Sequence, residues 1–161
     1  MMMQRSEVTS PMLTKHVDLG PARLLAPDRP PRYTRGTLGE MWQWIGDGEN
    51  LISLILAARS DSAESAVGVR HRLLAEVQRI GGSLMRSPDA GLASTERAYI
   101  PGSSASFVAH VDGVREGILL HNAVVMAATR ETRYLLHVAA TGTRAGRELA
   151  SRMSLSLRLA E

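Results

Sequence analysis

From Thr37 onward, apolar and polar positions recur with two periods, one of two residues and one of three to four. Leu38–Ile45 and Asn50–Arg59 flank Gly46-Asp47-Gly48-Glu49. Asp-Gly supplies the positive φ angles of a tight reversal, so this segment predicts a β-hairpin. Its second arm, LISLILAA, is nearly continuous in apolar residues and predicts a central strand covered on both faces. Ala66, Val69, Leu73, Val77 and Ile80 then form one apolar stripe at helical spacing. A helix over Ser62–Ile80 follows, with Ser60, Asp61 or Ser62 as its cap and Gly81-Gly82 as its stop.

After a loop over 83–95, a short strand is expected around Arg97–Ile100, ended by Pro101-Gly102. Ala105, Phe107, Ala109 and Val111 alternate with Ser106, Val108 and His110, which predicts another strand. Asp112-Gly113 reads as its reversal, leading into a strand over Ile118–Ala128. That strand turns at Arg130-Glu131-Thr132-Arg133 and returns as Tyr134–Ala140, completing a three-stranded meander. Thr143 is placed to cap a short helix over Arg144–Arg152, with Ala145 and Leu149 inward. Met153, Leu155, Leu157 and Leu159 alternate with Ser154, Ser156 and Arg158 and predict a final strand.

Upstream, short strands are expected at 16–19 and 22–25, after which Pro27, Pro30 and Pro31 force an extended connector. Residues 1–14 have no period and read as a flexible N-terminal arm. The element order predicts an α+β fold over residues 15–161, a single domain. Its antiparallel β-sheet carries one long and one short helix packed on it.

Composition narrows the chemistry. The 161 residues include no cysteine, which excludes disulfides, thiolate metal sites and a cysteine nucleophile. The net charge of +3 is small and aromatic residues are only 4%, too few for a base-stacking surface, so nucleic acid is not the expected partner. The opening MMMQRSEVTSPMLTK lacks the apolar core of a signal peptide, so cytoplasmic residence is expected. Leu51–Ala58, the most apolar stretch, falls far short of the ~20 residues that cross a bilayer, so no membrane insertion is expected.

The run YIPGSSASFVAHVDG and the later HNAVVMAATRETRYLLHVAATGTRAGRELASRMSLSLRL resemble the PsbP-like α/β/α superfamily, and within it the actinobacterial LpqN-like proteins. The matching features are the small-residue strand start at Gly102–Ala105, the long strand at Ala123–Thr129 and the Tyr-Leu strand at Tyr134–Val138. The short helix at Ala145–Arg152 and the Ser-rich end at Met153–Leu159 complete them. The helix from Ser62 to Ile80 falls where that family has its long helix. The chain departs from LpqN-like lipoproteins in having neither a signal peptide nor a lipidated cysteine. The resemblance implies a PsbP-like fold and a binding or accessory role without catalytic residues.

Three constellations remain for chemistry. His110, His121 and His137 all fall in the meander and are the candidates for a metal site or general base. With Asp112-Gly113 as the turn, Val111 pairs with Val114 and His110 faces Arg115. With Thr129 paired to Tyr134, His137 faces Met126 and lies on the opposite face from His121, so this register separates the imidazoles. Ser103-Ser104, with His110 and Asp112 nearby, lacks the strand-to-helix elbow of a nucleophilic serine. The glycines at Gly36, Gly39, Gly46 and Gly48 lead into no helix N-terminus that would cradle a phosphate.

Trp42 and Trp44, two apart on one strand face, hold a third of the six aromatic residues. Either they face the core under a helix, or with Tyr33 and Arg35 they form a ligand- or partner-binding patch rimmed also by Arg32. The resulting expectation is a non-catalytic binding or accessory module for a protein partner or apolar ligand, able to self-associate, with no cofactor and no metal. The alternative is a small enzyme or metal-binding protein built on the strand histidines.

Overall fold

The structure, a computed structural model, describes residues 14–37, 39–46, 49–60, 66–83 and 95–160. Residues 1–13 of the expected arm, the Asp47-Gly48 turn, the Asp61 and Ser62 caps and most of the 83–95 loop lie outside the described residues, while Thr14, expected in the arm, opens the first strand.

Strands β1 (Thr14–Leu19) and β2 (Ala22–Pro27) form a hairpin closed at Gly20, whose φ is +66°. The expected connector after Pro30-Pro31 is itself a strand, β3 (Arg32–Gly36). Proline is tolerated at the entry to an edge strand, so the two prolines set its start and do not prevent it. β3 pairs with β4 (Gly39–Ile45), and β4 with β5 (Leu51–Ser60). Helix α1 (Ala66–Ser83) follows, then β6 (Thr95–Arg97), placed earlier than the expected Arg97–Ile100 strand. The meander is β7 (Ala105–Arg115), β8 (Ile118–Ala128) and β9 (Thr132–Thr141). Helix α2 (Arg144–Ser154) and β10 (Arg158–Leu159) end the described chain.

The fold is α+β. Seven antiparallel strands form the main sheet in the order β3-β4-β5-β9-β8-β7-β6, and β1-β2-β10 form a small second sheet. Helix α1 packs on β7 and β8, while α2 lies on β8 and β9 and also reaches β2 and β5. The two helices occupy opposite faces of the main sheet. On the α1 face, Val69, Leu73, Val77 and Ile80 bury against Phe107, Ala109, Val111, Val124 and Met126, as the helical stripe predicts. On the α2 face, Leu54, Leu56, Val125, Leu136 and Val138 meet Leu24, Ala150, Met153 and Leu157. Each fully enclosed Leu or Val contributes about 1.5–3 kcal/mol relative to exposure, so this sandwich core dominates the stability.

Four expectations need correction. The meander's first turn is not Asp112-Gly113. β7 runs straight through those residues and reverses at Glu116-Gly117, with φ of 53° and 80° and Arg115 paired to Ile118. Two left-handed residues make a hairpin turn whose twist suits the flanking strands. Asp112 stays in the strand because its carboxylate is engaged across the ladder, as described below. The final strand is also shorter than expected: α2 continues to Ser154, Leu155 is exposed, and only Arg158–Leu159 pair with β2. Ala150 and Met153 are three apart and bury on the helix, so the helical period prevails over the alternating one there. Within α2, Gly146 faces inward and the expected inner residue Ala145 is exposed. β5 is central, but only its α2 face is fully covered, because α1 sits over β7 and β8.

Candidate functional site

Two polar features stand out against this core. The first lies at one open end of the sandwich, where the β1–β2 turn approaches the ends of the main-sheet strands. A cleft of about 990 Å³ runs past Arg97, Ile100, Ser104 and Arg130. A second, of about 570 Å³, runs past Arg35, Glu40, Trp42 and Arg59. The two share Pro21, Thr132 and Tyr134 and so meet at those residues.

The polar lining is largely engaged within the fold. Ser103 Oγ donates to the Ile100 carbonyl (2.7 Å), Ser104 Oγ to Ala128 (3.0 Å) and Ser106 Oγ to Ala98 (2.6 Å). Thr129 Oγ1 accepts from the Thr132 amide at 3.1 Å and closes the β8–β9 corner. Gly102 sits at φ +87° with the Leu159 carbonyl 1.7 Å from where a Cβ would stand, so only glycine lets β10 pass beside this cleft. Tyr134 differs from these groups. It is 4% exposed, and its phenol has no hydrogen-bond partner among the described residues. Burial, helped by the Glu40 carboxylate, pushes its ionisation above the usual phenol value.

The aromatic patch read from the sequence divides here. Trp44 is 1% exposed and its indole N–H donates to the Arg29 carbonyl at 3.1 Å, so it belongs to the core. Trp42 is half-buried, packs on the core edge and lines the second cleft. Tyr33, paired opposite Trp42, stacks obliquely on it with ring centroids 5.4 Å apart and donates its hydroxyl to Glu40. That hydrogen bond raises the Tyr33 phenol's ionisation. Arg35 lies on the rim, and Arg32 is exposed on the same strand.

The second feature is one that the sequence register hid. His110 pairs with Ala123 and Asp112 with His121, so both imidazoles and the carboxylate lie on the α2 face. Asp112 Oδ1 is 2.5 Å from His121 Nδ1, and His121 Nε2 is 3.2 Å from His110 Nδ1. From α2, Arg147 donates to Asp112 Oδ2 at 2.7 Å. Burial raises the Asp112 carboxyl, but hydrogen bonds from His121 and Arg147 outweigh it and hold the group below its ordinary value. His110 is lowered by burial first and then by His121, against the pull of Glu96 and Asp112.

His137 stands apart on the α1 face, opposite Val124 and not Met126. It donates Nε2–H to Asn122 Oδ1 at 2.7 Å, and Asn122 donates to the Val111 carbonyl at 3.3 Å. Burial, then Arg79, lowers its pKa to about 4. The predicted separation of His121 from His137 therefore holds, while the predicted separation of His110 from His121 does not. Among the described residues, no group of three or more His, Asp or Glu side chains is arranged to hold a metal ion. No described helix is long and apolar enough to cross a membrane.

No family model matches the chain, and no curated protein matches it. Among solved structures, it is similar to a Pseudomonas aeruginosa protein of unknown function, at 11% identity and a TM-score of 0.41. The match covers 86% of this chain and 88% of that one.

Proposed function

We propose that this chain is a binding or accessory module whose ligand site is the pair of clefts meeting at Tyr134. The observation that carries the reading is the phenol itself: enclosed, without a hydrogen-bond partner among the described residues, and lining both clefts. An unpaired buried hydroxyl costs about 1–3 kcal/mol, which an acceptor on a bound molecule would recover. Ile100 and Trp42 supply apolar wall on either side, and the guanidinium groups of Arg97, Arg130 and Arg35 line the clefts together with the Glu131 and Glu40 carboxylates. The occupant that fits is a small molecule with an apolar body and an anionic or carbonyl acceptor. The resemblance to PsbP-like accessory proteins supports the same side of the choice between binding and catalysis.

Ligand-observed NMR with a medium-chain fatty acid, against the alcohol of equal length, tests this. Saturable binding of the acid, weakened about tenfold in Tyr134→Phe, is expected, since ~1.4 kcal/mol of lost hydrogen bonding is a factor of ten. Absence of saturable binding, or equal binding by Tyr134→Phe, overturns it.

A second reading has its own observation. β3 is exposed along its whole length at the sheet edge, and Met41, Ile45 and Ile52 are exposed nearby. Such an edge is a template for pairing with a second copy. Sedimentation that stays monomeric over a wide concentration range excludes self-association.

A further inference from the structure

The His110–His121–Asp112 chain has room for one extra proton but not for two. Asp112 is ionised and accepts from His121 Nδ1, so that nitrogen carries the hydrogen. Neutral His121 then offers its Nε2 lone pair, and His110 must be the donor through Nδ1. One added proton can sit on His110 Nε2 with both hydrogen bonds intact. A second must go onto His121 Nε2, placing two N–H groups head to head across 3.2 Å. The Arg147 guanidinium, 3.5 Å from His121 Nδ1, adds to the positive charge.

The groups facing His110 decide where it goes when that happens. Asp112 on β7 is shared between His121 and Arg147. His121 on β8 and Arg147 on α2 repel a protonated His110, while Glu96 on β6 and Asp112 attract it. Glu96 pairs opposite Val108, two residues from His110 and on the same sheet face. We infer that His110 is a two-position proton switch, held on His121 while the pair carries at most one added proton and transferred to the Glu96 carboxylate when both rings are charged. The switch acts on β6, the edge strand whose next residue, Arg97, stacks over Phe107 with 5.8 Å to the ring centroid and lines the larger cleft. Acidification therefore changes the electrostatics of the edge beside the cleft without touching Tyr134. This inference stands whether or not the cleft binds the proposed ligand.

A two-centre metal site is the competing use of the same nitrogens. The hydrogen bond disfavours it, because the ring N–H of one imidazole points at the acceptor nitrogen of the other. Side-chain NMR of the histidine rings, titrated from neutral to acidic pH, distinguishes the two. The switch predicts a His110–His121 ring contact that survives the first protonation and is lost with the second. It also predicts that Glu96→Gln lowers the proton affinity of the second step by about two- to tenfold, with backbone spectra unchanged. A contact retained through both protonations overturns the switch. So does a second step unmoved in Glu96→Gln, or stoichiometric shifts of both rings on adding zinc chloride to the neutral protein.

Discussion

Lowering the pH should unload the buried side of the sheet through His137. Its imidazole lies between β9 and α1 and gives its Nε2–H to Asn122, which is itself 2% exposed. Protonating the ring adds a charge where burial and Arg79 both oppose it, with Glu76 offsetting only part, and holds the pKa at about 4 against 6.5 for an unperturbed imidazole. Between those values the unfolded chain binds the proton and the native chain does not, so stability falls as pH falls. The loss begins near 6.5, is complete near 4, and is flat below. At ~1.4 kcal/mol per pH unit, it amounts to about 3 kcal/mol. Urea unfolding followed by the fluorescence of the enclosed Trp44, at about pH 7.5 and about pH 4, measures it. His137→Gln keeps an N–H for Asn122 but cannot titrate, so its acid loss should be smaller than that of the parent by about 3 kcal/mol. His110 is also lowered and acts in the same direction, but it is present in both proteins and cancels in the difference. Identical acid dependence in the two proteins would refute the argument.

Three further outcomes follow from packing and hydrogen bonding. Tyr134→Phe should not destabilise the protein and should gain up to about 1–3 kcal/mol in urea titration, because the buried hydroxyl it removes has no partner among the described residues; a loss would mean the phenol is structurally engaged. Trp44→Ala should cost about 3–5 kcal/mol by the same measurement and Trp42→Ala less, since only Trp44 is fully enclosed; equal costs would put both indoles in one environment. Gly102→Ala should cost about 2–4 kcal/mol and lower the thermal midpoint, given φ +87° and the Leu159 carbonyl 1.7 Å from the added methyl; a neutral result would mean that β10 can move aside.

The aromatic site shows how far a strand period reaches. That Trp42 and Trp44 share a face follows from their spacing, and it holds. Which of the two remains accessible depends on what lies above each: the Arg29 segment covers Trp44, while Trp42 sits nearer the edge under Tyr33. Tyr134 carried no sequence signal, because a strand tyrosine looks the same whether or not its hydroxyl finds a partner. The imidazole pair left a weak signal in Gly117, a glycine four residues after Gly113 that could also reverse the ribbon and that the expected register did not use. Choosing that turn over Asp112-Gly113 moves His110 from opposite Arg115 to beside His121.

The amino-acid order alone fixed what depends on neighbours in the chain: the α1 stripe, the meander, the Thr143 cap that accepts from the Gly146 amide at 3.0 Å, and the antiparallel α+β class. These follow from periods and local hydrogen bonds, which operate over a few residues. The tertiary structure decided which turn closes β7, where α2 stops, and which polar groups meet across strands distant in sequence. Those outcomes turn on small differences between competing registers, and only the packing of both faces of the sheet selects among them.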